Sequence, residues 1–204
     1  MRFHELTERG VDKETLAYIE GDMLHLDLYQ KKYQTEMRNK PDFKHNKKIL
    51  LSLLKHYSIE EVEKIFDAMR VFYTSQYGRF NNSLRAGKTP GATKWVDQYM
   101  EHGPKFKGGA VYRGIDGVFF KTLEKGSTIT DPGYSAASKD SGIAKYFATR
   151  KTKGGVMEIT GASNLAVVNF IYGNSDEQEV IFPRNTKFKI IDIAGGKLTV
   201  QASR

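Results

Sequence analysis

The chain has 204 residues, of which 39% are hydrophobic and 27% charged, and a formal net charge of +8. That length can hold one large domain or two small ones around a buried core, and the balance is that of a globular chain and not a disordered one. No apolar run approaches the roughly 20 residues a membrane-spanning helix needs, and the lack of cysteine excludes disulfides, thiolate metal ligands and a cysteine nucleophile together.

The first hundred residues read as helical. Segments 12–19 and 22–37 are expected helices, separated by Gly21. Over 46–57, Ile49, Leu50, Leu53, Leu54 and Tyr57 recur at helical spacing. Ser58 and Glu61 then form a capping box, and the helix they open carries Val62, Ile65, Phe66, Met69, Phe72 and Tyr73 on one stripe. A shorter helix is expected over 93–101. Residues 102–109 are a glycine- and proline-rich join, after which the period shortens. Strands are expected at 110–115, 156–160, 165–171, 180–183, 187–193 and 198–201, with tight reversals at Asn185-Thr186 and Gly195-Gly196. One helix interrupts them over 138–149, with Ser138 as N-cap and Ile143, Tyr146 and Phe147 facing inward. The outline is α+β, with a helical region over 1–103 followed by a β-rich region over 104–204.

The five histidines lie in the first half, and no two stand at ligand spacing, so no metal site is expected. There is no phosphate-binding GxxxxGK[ST] loop, GxGxxG, GxSxG or HExxH motif. The positive balance favours acidic partners, among them nucleic acid and the machinery bound to it. The opening residues lack the apolar core of a secretory signal, which leads to the expectation of a cytoplasmic protein.

Three features of the second half carry chemistry. Tyr112-Arg113-Gly114 ends the first expected strand and can present a planar cationic fork beside bare backbone. Gly133-Tyr134-Ser135-Ala136-Ala137-Ser138 leads from a turn toward a helix. Glu177-Gln178-Glu179 opens a strand, where period-two geometry would set both carboxylates on one face. Singly, each also reads as ordinary structure: a strand-end arginine, a loop with a capping serine, a solvated strand entrance.

In this order, and with Val180-Ile181-Phe182-Pro183-Arg184-Asn185-Thr186 behind them, the three resemble the arginine-serine-glutamate class of mono-ADP-ribosyltransferases. That class includes cholera- and clostridial-type toxins, vertebrate ecto-enzymes and enzymes of tailed phages. The likeness covers about residues 110–193. It implies a split β core of two sheets with NAD+ as co-substrate in the cleft between them and no metal. Arg113 would clamp the phosphates, Gly114 would hydrogen-bond the nicotinamide amide and Tyr134 would pack on its ring. Glu179 would stabilise the ribosyl cation, and Glu177 would hold an acceptor arginine on a target protein. Where the class has its first serine and its threonine, this chain has Ala136 and Ala137, so the resemblance leaves Ser135 or Ser138 to take over the serine's support. It also suggests a phage enzyme acting in the host cytoplasm on transcription or translation machinery. Two other readings stay open: an NAD+ glycohydrolase, and a basic nucleic-acid-binding module on a core silenced at Ala136.

Overall fold

The computed structural model of the chain describes residues 49, 52–73, 77–117, 122–149, 154–168 and 178–204. The expected helices at 12–19 and 22–37, and Glu177, lie outside them. Pro41–Arg204 groups as one compact unit, so the join at 102–109 lies within a single body and does not divide the chain there.

Three helices precede the strands: α1 (Ile59–Tyr73), α2 (Tyr77–Arg85) and α3 (Thr93–His102). The capping box forms as expected. The Ser58 N–H donates to Glu61 Oε2 at 3.0 Å and the Glu61 N–H to Ser58 Oγ at 3.4 Å, which satisfies two of the amides that every helix start leaves open. Val62, Ile65, Met69 and Phe72 of α1 are buried, and Ile49 and Leu53 join them. Helix α2 has a polar surface and was not anticipated; its Phe80 and Leu84 reach the same core.

The strands are β1 (Val111–Ile115), β2 (Thr128–Asp131), β3 (Ser135–Ser138), β4 (Gly155–Thr160), β5 (Val167–Val168), β6 (Glu179–Phe182), β7 (Thr186–Ala194) and β8 (Lys197–Ser203). They follow the order β2-β7-β8-β4-β1-β3-β6-β5. The β4–β8 pair is parallel and the others are antiparallel. The two halves of this order join at β1 and β3, which share one pair, Tyr112↔Ser138. Among the described residues no second pair joins these two strands.

Residues directly opposite one another share a face. Val111, Met157, Ile159, Leu198, Val200, Phe188 and Ile190 thereby fall on one side, with Ala137, Val180 and Phe182 continuing the same core across the seam. Gly195 and Gly196, with φ of 56° and 76°, make the expected two-residue hairpin turn between β7 and β8, since both central positions need positive φ. The reversal at Asn185 is different. It carries the chain from β6 to β7, which belong to opposite ends of the order, so it is a crossing between the halves and not a hairpin.

Two expectations around residue 138 are corrected. Ser135–Ser138 is a strand, and the following helix, α4 (Ser141–Thr149), starts later. At its start Asp140 Oδ1 accepts the Gly142 N–H at 2.7 Å, while Ser138 Oγ accepts the Asp140 N–H at 2.9 Å. Tyr146 and Phe147 are 56% and 40% exposed, and it is Ala144 and Ala148 that turn inward. The cause is Gly114. A Cβ there would stand 2.6 Å from the Ala144 carbonyl oxygen and 2.7 Å from the Ala148 nitrogen. The helix backbone lies directly on the strand, and only small side chains fit between them.

Candidate active site

Arg113 falls in the inward row of β1, between buried Val111 and Ile115 and opposite Met157. A guanidinium in a row of core positions carries a desolvation cost unless its donors are used. It stands next to the single β1–β3 pair, and Arg113 Nη1 donates to the Ala136 carbonyl at 2.8 Å. Ala136 is thus bonded from the seam by a side chain. The wide spread of guanidinium donors leaves others to meet a ligand.

Ser138 pairs with Tyr112 on one side and with Glu179 on the other, so these three side chains share a face. With strands about 4.8 Å apart, the row from Tyr112 to Glu179 spans roughly 10 Å. Ala136, which holds Arg113, pairs with Ile181 and is therefore the diagonal neighbour of Glu179, about 7–8 Å away. By register Arg113 and Glu179 leave opposite sides of the pleat. Arg113 nonetheless reaches the backbone of β3, at the Ala136 carbonyl.

Gln178 does not continue the strand. Gln178 has φ of 44°, a left-handed conformation uncommon for a residue with a side chain, and its carbonyl accepts the Lys139 N–H at 3.2 Å. The strand begins only at Glu179, which is half-buried.

Tyr134 has another position than the resemblance implied. Its ring is fully buried, edge-on to Phe72 with centroids 5.3 Å apart and beside Phe80. Its hydroxyl donates to Asp97 Oδ1 at 2.6 Å, and its N–H to Asn81 Oδ1 at 2.8 Å. A ring held this way among the helices has no face left for a nicotinamide. Ser135 is likewise engaged: its hydroxyl donates to Asp131 Oδ2 at 2.5 Å. Of the two serines, Ser138 is the one that stands opposite Glu179.

The sequence reading missed the groups that hold this site. Asp131, at the end of β2, accepts Arg85 Nε and Nη2, both at 2.9 Å, the Gly133 N–H at 2.9 Å and the Ser135 hydroxyl. Its own carbonyl accepts the Asn185 N–H at 2.7 Å. Arg184 pairs with Asp97. The one signal was Arg184 within the Pro-Arg-Asn-Thr run; its acidic partner lies 87 residues earlier.

Burial alone would raise the Asp131 pKa, but the hydrogen bonds from Arg85, Ser135 and Gly133 outweigh it and hold the carboxyl below its ordinary value. A carboxylate depressed in the fold stabilises it above the unfolded pKa, and that contribution is lost as pH falls through the folded value. Asp131→Asn should therefore melt below wild type at pH 7, and the gap should narrow as pH drops below about 4. Thermal melts from pH 7 to 3 check this; a gap that stays constant would show that the carboxylate charge is not the source.

A shallow groove of about 500 Å³ lies at the end of α4, lined among others by Lys145, Thr149, Gly154 and Gly196. It includes neither Arg113 nor Glu179. Among the described residues no group of three His, Asp or Glu side chains could hold a metal ion, and no helix is long and apolar enough to cross a membrane.

Helices with a mixed eight-stranded sheet, carrying Arg113, Ser138 and Glu179 on three adjacent strands, give the fold of an ADP-ribosyltransferase. Solved structures share it. The ADP-ribosyltransferase Vis of Vibrio splendidus, in complex with the M6 inhibitor, superposes with a TM-score of 0.62 at 21% identity, over 79% of this chain and 82% of its own; Vis has also been solved with agmatine. Exoenzyme S of Pseudomonas aeruginosa, bound to human 14-3-3 protein beta and carba-NAD, superposes at 0.57 and 14% identity, over 77% and 88%. The sequence matches the family described as ADP-ribosyltransferase exoenzyme across residues 27–202, and the chain belongs to that family. Exoenzyme T of P. aeruginosa is 23% identical over 198 residues, which cover 88% of this chain and 42% of Exoenzyme T. The match from residue 27 takes in helices that the sequence motifs did not reach.

Proposed function

We propose that the chain transfers ADP-ribose from NAD+ to an arginine of a target protein. The observation that carries this is Arg113, a guanidinium in a core row beside the single β1–β3 pair, held on the diagonal neighbour of Glu179. In this reading the Arg113 donors not aimed at Ala136 clamp the pyrophosphate, and the Gly114 backbone faces the nicotinamide amide. Glu179 stabilises the positive ribose as the C1′–N bond to nicotinamide breaks and nicotinamide leaves with the electron pair. An arginine nitrogen of the target then forms the new bond at C1′ and gives up a proton. Ser138, across from Glu179, supplies the support the class draws from the serine replaced by Ala136.

Glu177 orients the acceptor, since a carboxylate pairs a guanidinium by two hydrogen bonds. The complex of Vis with agmatine, a guanidino compound, and that of Exoenzyme S with carba-NAD, support an arginine acceptor and an NAD+ donor here. The net charge of +8 favours an acidic or nucleic-acid-bound target.

Incubation with labelled NAD+ and a cell extract is expected to label protein, and agmatine is expected to compete for the label. Nicotinamide release with free ADP-ribose and no labelled protein would instead indicate hydrolysis. Absence of both products, compared with a Glu179→Gln control, would refute the enzyme reading; nucleic-acid binding that falls steeply with salt would then favour a binding module.

A further inference from the structure

Asp97 belongs to α3, outside every strand, yet it ties down one end of the strand pair that carries Glu179. Arg184 Nε lies 3.0 and 2.9 Å from its two carboxylate oxygens, and Arg184 Nη2 lies 2.8 Å from Oδ2. The Tyr134 hydroxyl donates to Oδ1 at 2.6 Å. Tyr134 immediately precedes β3 and Arg184 follows β6 by two residues. The two strands pair at that end through Ser135↔Phe182 and at the other through Ser138↔Glu179. One carboxylate thus holds both strands beside their first shared pair. From the same helix, the Tyr99 hydroxyl donates to the Val168 carbonyl of β5 at 3.1 Å, so side chains of α3 bond at or beside the ends of all three strands on that side of the β1–β3 pair.

This side needs such a backing. Its β-ladder to the rest of the sheet is the single pair Tyr112↔Ser138, whereas β1 and β4 share five. One pair sets a contact point and leaves the angle free. Burial, and then the Asp97 carboxylate, push the Tyr134 phenol well above its ordinary pKa, so it remains a donor throughout the neutral range.

We infer that Asp97, Arg184 and Tyr134 are positioning residues: through them α3 sets where Glu179 stands relative to Arg113 at the seam. The inference deepens the transferase reading and rests on it for its kinetic consequence. Displacement of a catalytic group by about 1 Å can lower a rate by about 10²-fold. The loss should appear in kcat, because the contacts that bind NAD+ on the β1 side are not moved.

The test uses Asp97→Asn, Asp97→Glu and Tyr134→Phe in the full chain, with Glu179→Gln as reference. Nicotinamide release should lose about 10-fold in kcat with Asp97→Asn and roughly 3-fold with Tyr134→Phe, at a KM for NAD+ within about twofold of wild type. Asp97→Glu, which keeps the charge, should recover some of the loss. Amide hydrogen exchange should quicken in β3 and β6 and stay unchanged in β7 and β8, whereas Glu179→Gln should lower turnover by about 10²–10³-fold with no change in exchange. Unchanged kcat in Asp97→Asn, or exchange quickened equally in every strand, would overturn the inference. Tyr134→Phe keeps the ring on Phe72 and Phe80, so it decides the matter if the Asp97 variants do not fold. If the wild-type chain releases no nicotinamide, the transferase reading fails and exchange alone decides whether α3 positions these strands.

Discussion

Glu179→Gln is expected to lower nicotinamide release by about 10²–10³-fold, the usual range for removing one preorganised electrostatic contact to a charged transition state. Glutamine keeps the shape of the side chain and removes its charge. The charge matters when the ribose becomes cationic, and the Glu179 backbone pairing with Ser138 does not depend on it. Glu179 is half-buried and lies on the face opposite the apolar core of β6, so stability should change by no more than about 1 kcal/mol. Paired measurements of release rate and thermal melting separate the two effects. A glutamine variant within a few-fold of wild type would remove Glu179 from the chemistry.

Gly114→Ala is expected to have the largest effect on stability. The added methyl would meet the Ala144 carbonyl oxygen at 2.6 Å, the Ala148 nitrogen at 2.7 Å and Phe147 Cβ at 2.9 Å. Two of these atoms are helix backbone, which cannot turn aside as a side-chain end can. α4 must lift from β1, and overpacking of this kind costs about 1–3 kcal/mol. Arg113 is the adjacent residue, so turnover should fall as well. The check is a melting curve with release assays run well below the midpoint. A variant as stable as wild type would mean that α4 does not press on β1. The glycine of Tyr112-Arg113-Gly114 therefore has a packing reason for being glycine, independent of any ligand.

Much of this was legible because it is local. The capping box at Ser58 and Glu61, the stripe of α1, the alternation of β4, β7 and β8, and the Gly195-Gly196 turn each depend on residues a few positions apart. The candidate-site residues Arg113, Ser138 and Glu179 also come from short motifs, and they fall on three adjacent strands. β2 and β3 were not legible. Thr-Ile-Thr-Asp and Ser-Ala-Ala-Ser are four-residue runs with little apolar signal, and they are strands because β7 and β6 pair with them.

The sequence by itself determined an α+β chain and pointed to the residue types of a candidate site, since periodicity and motif spacing are properties of neighbouring positions. Only the tertiary structure decided which side of each element faces what. Judged by size, Tyr146 and Phe147 belong inside α4; the close approach at Gly114 puts Ala144 and Ala148 there instead. Judged by motif, Tyr134 belongs to the ligand; the Asp97 carboxylate and the rings of Phe72 and Phe80 draw it into the helices. Such outcomes depend on contacts between residues far apart in the chain, and no local pattern encodes which distant partner will be there.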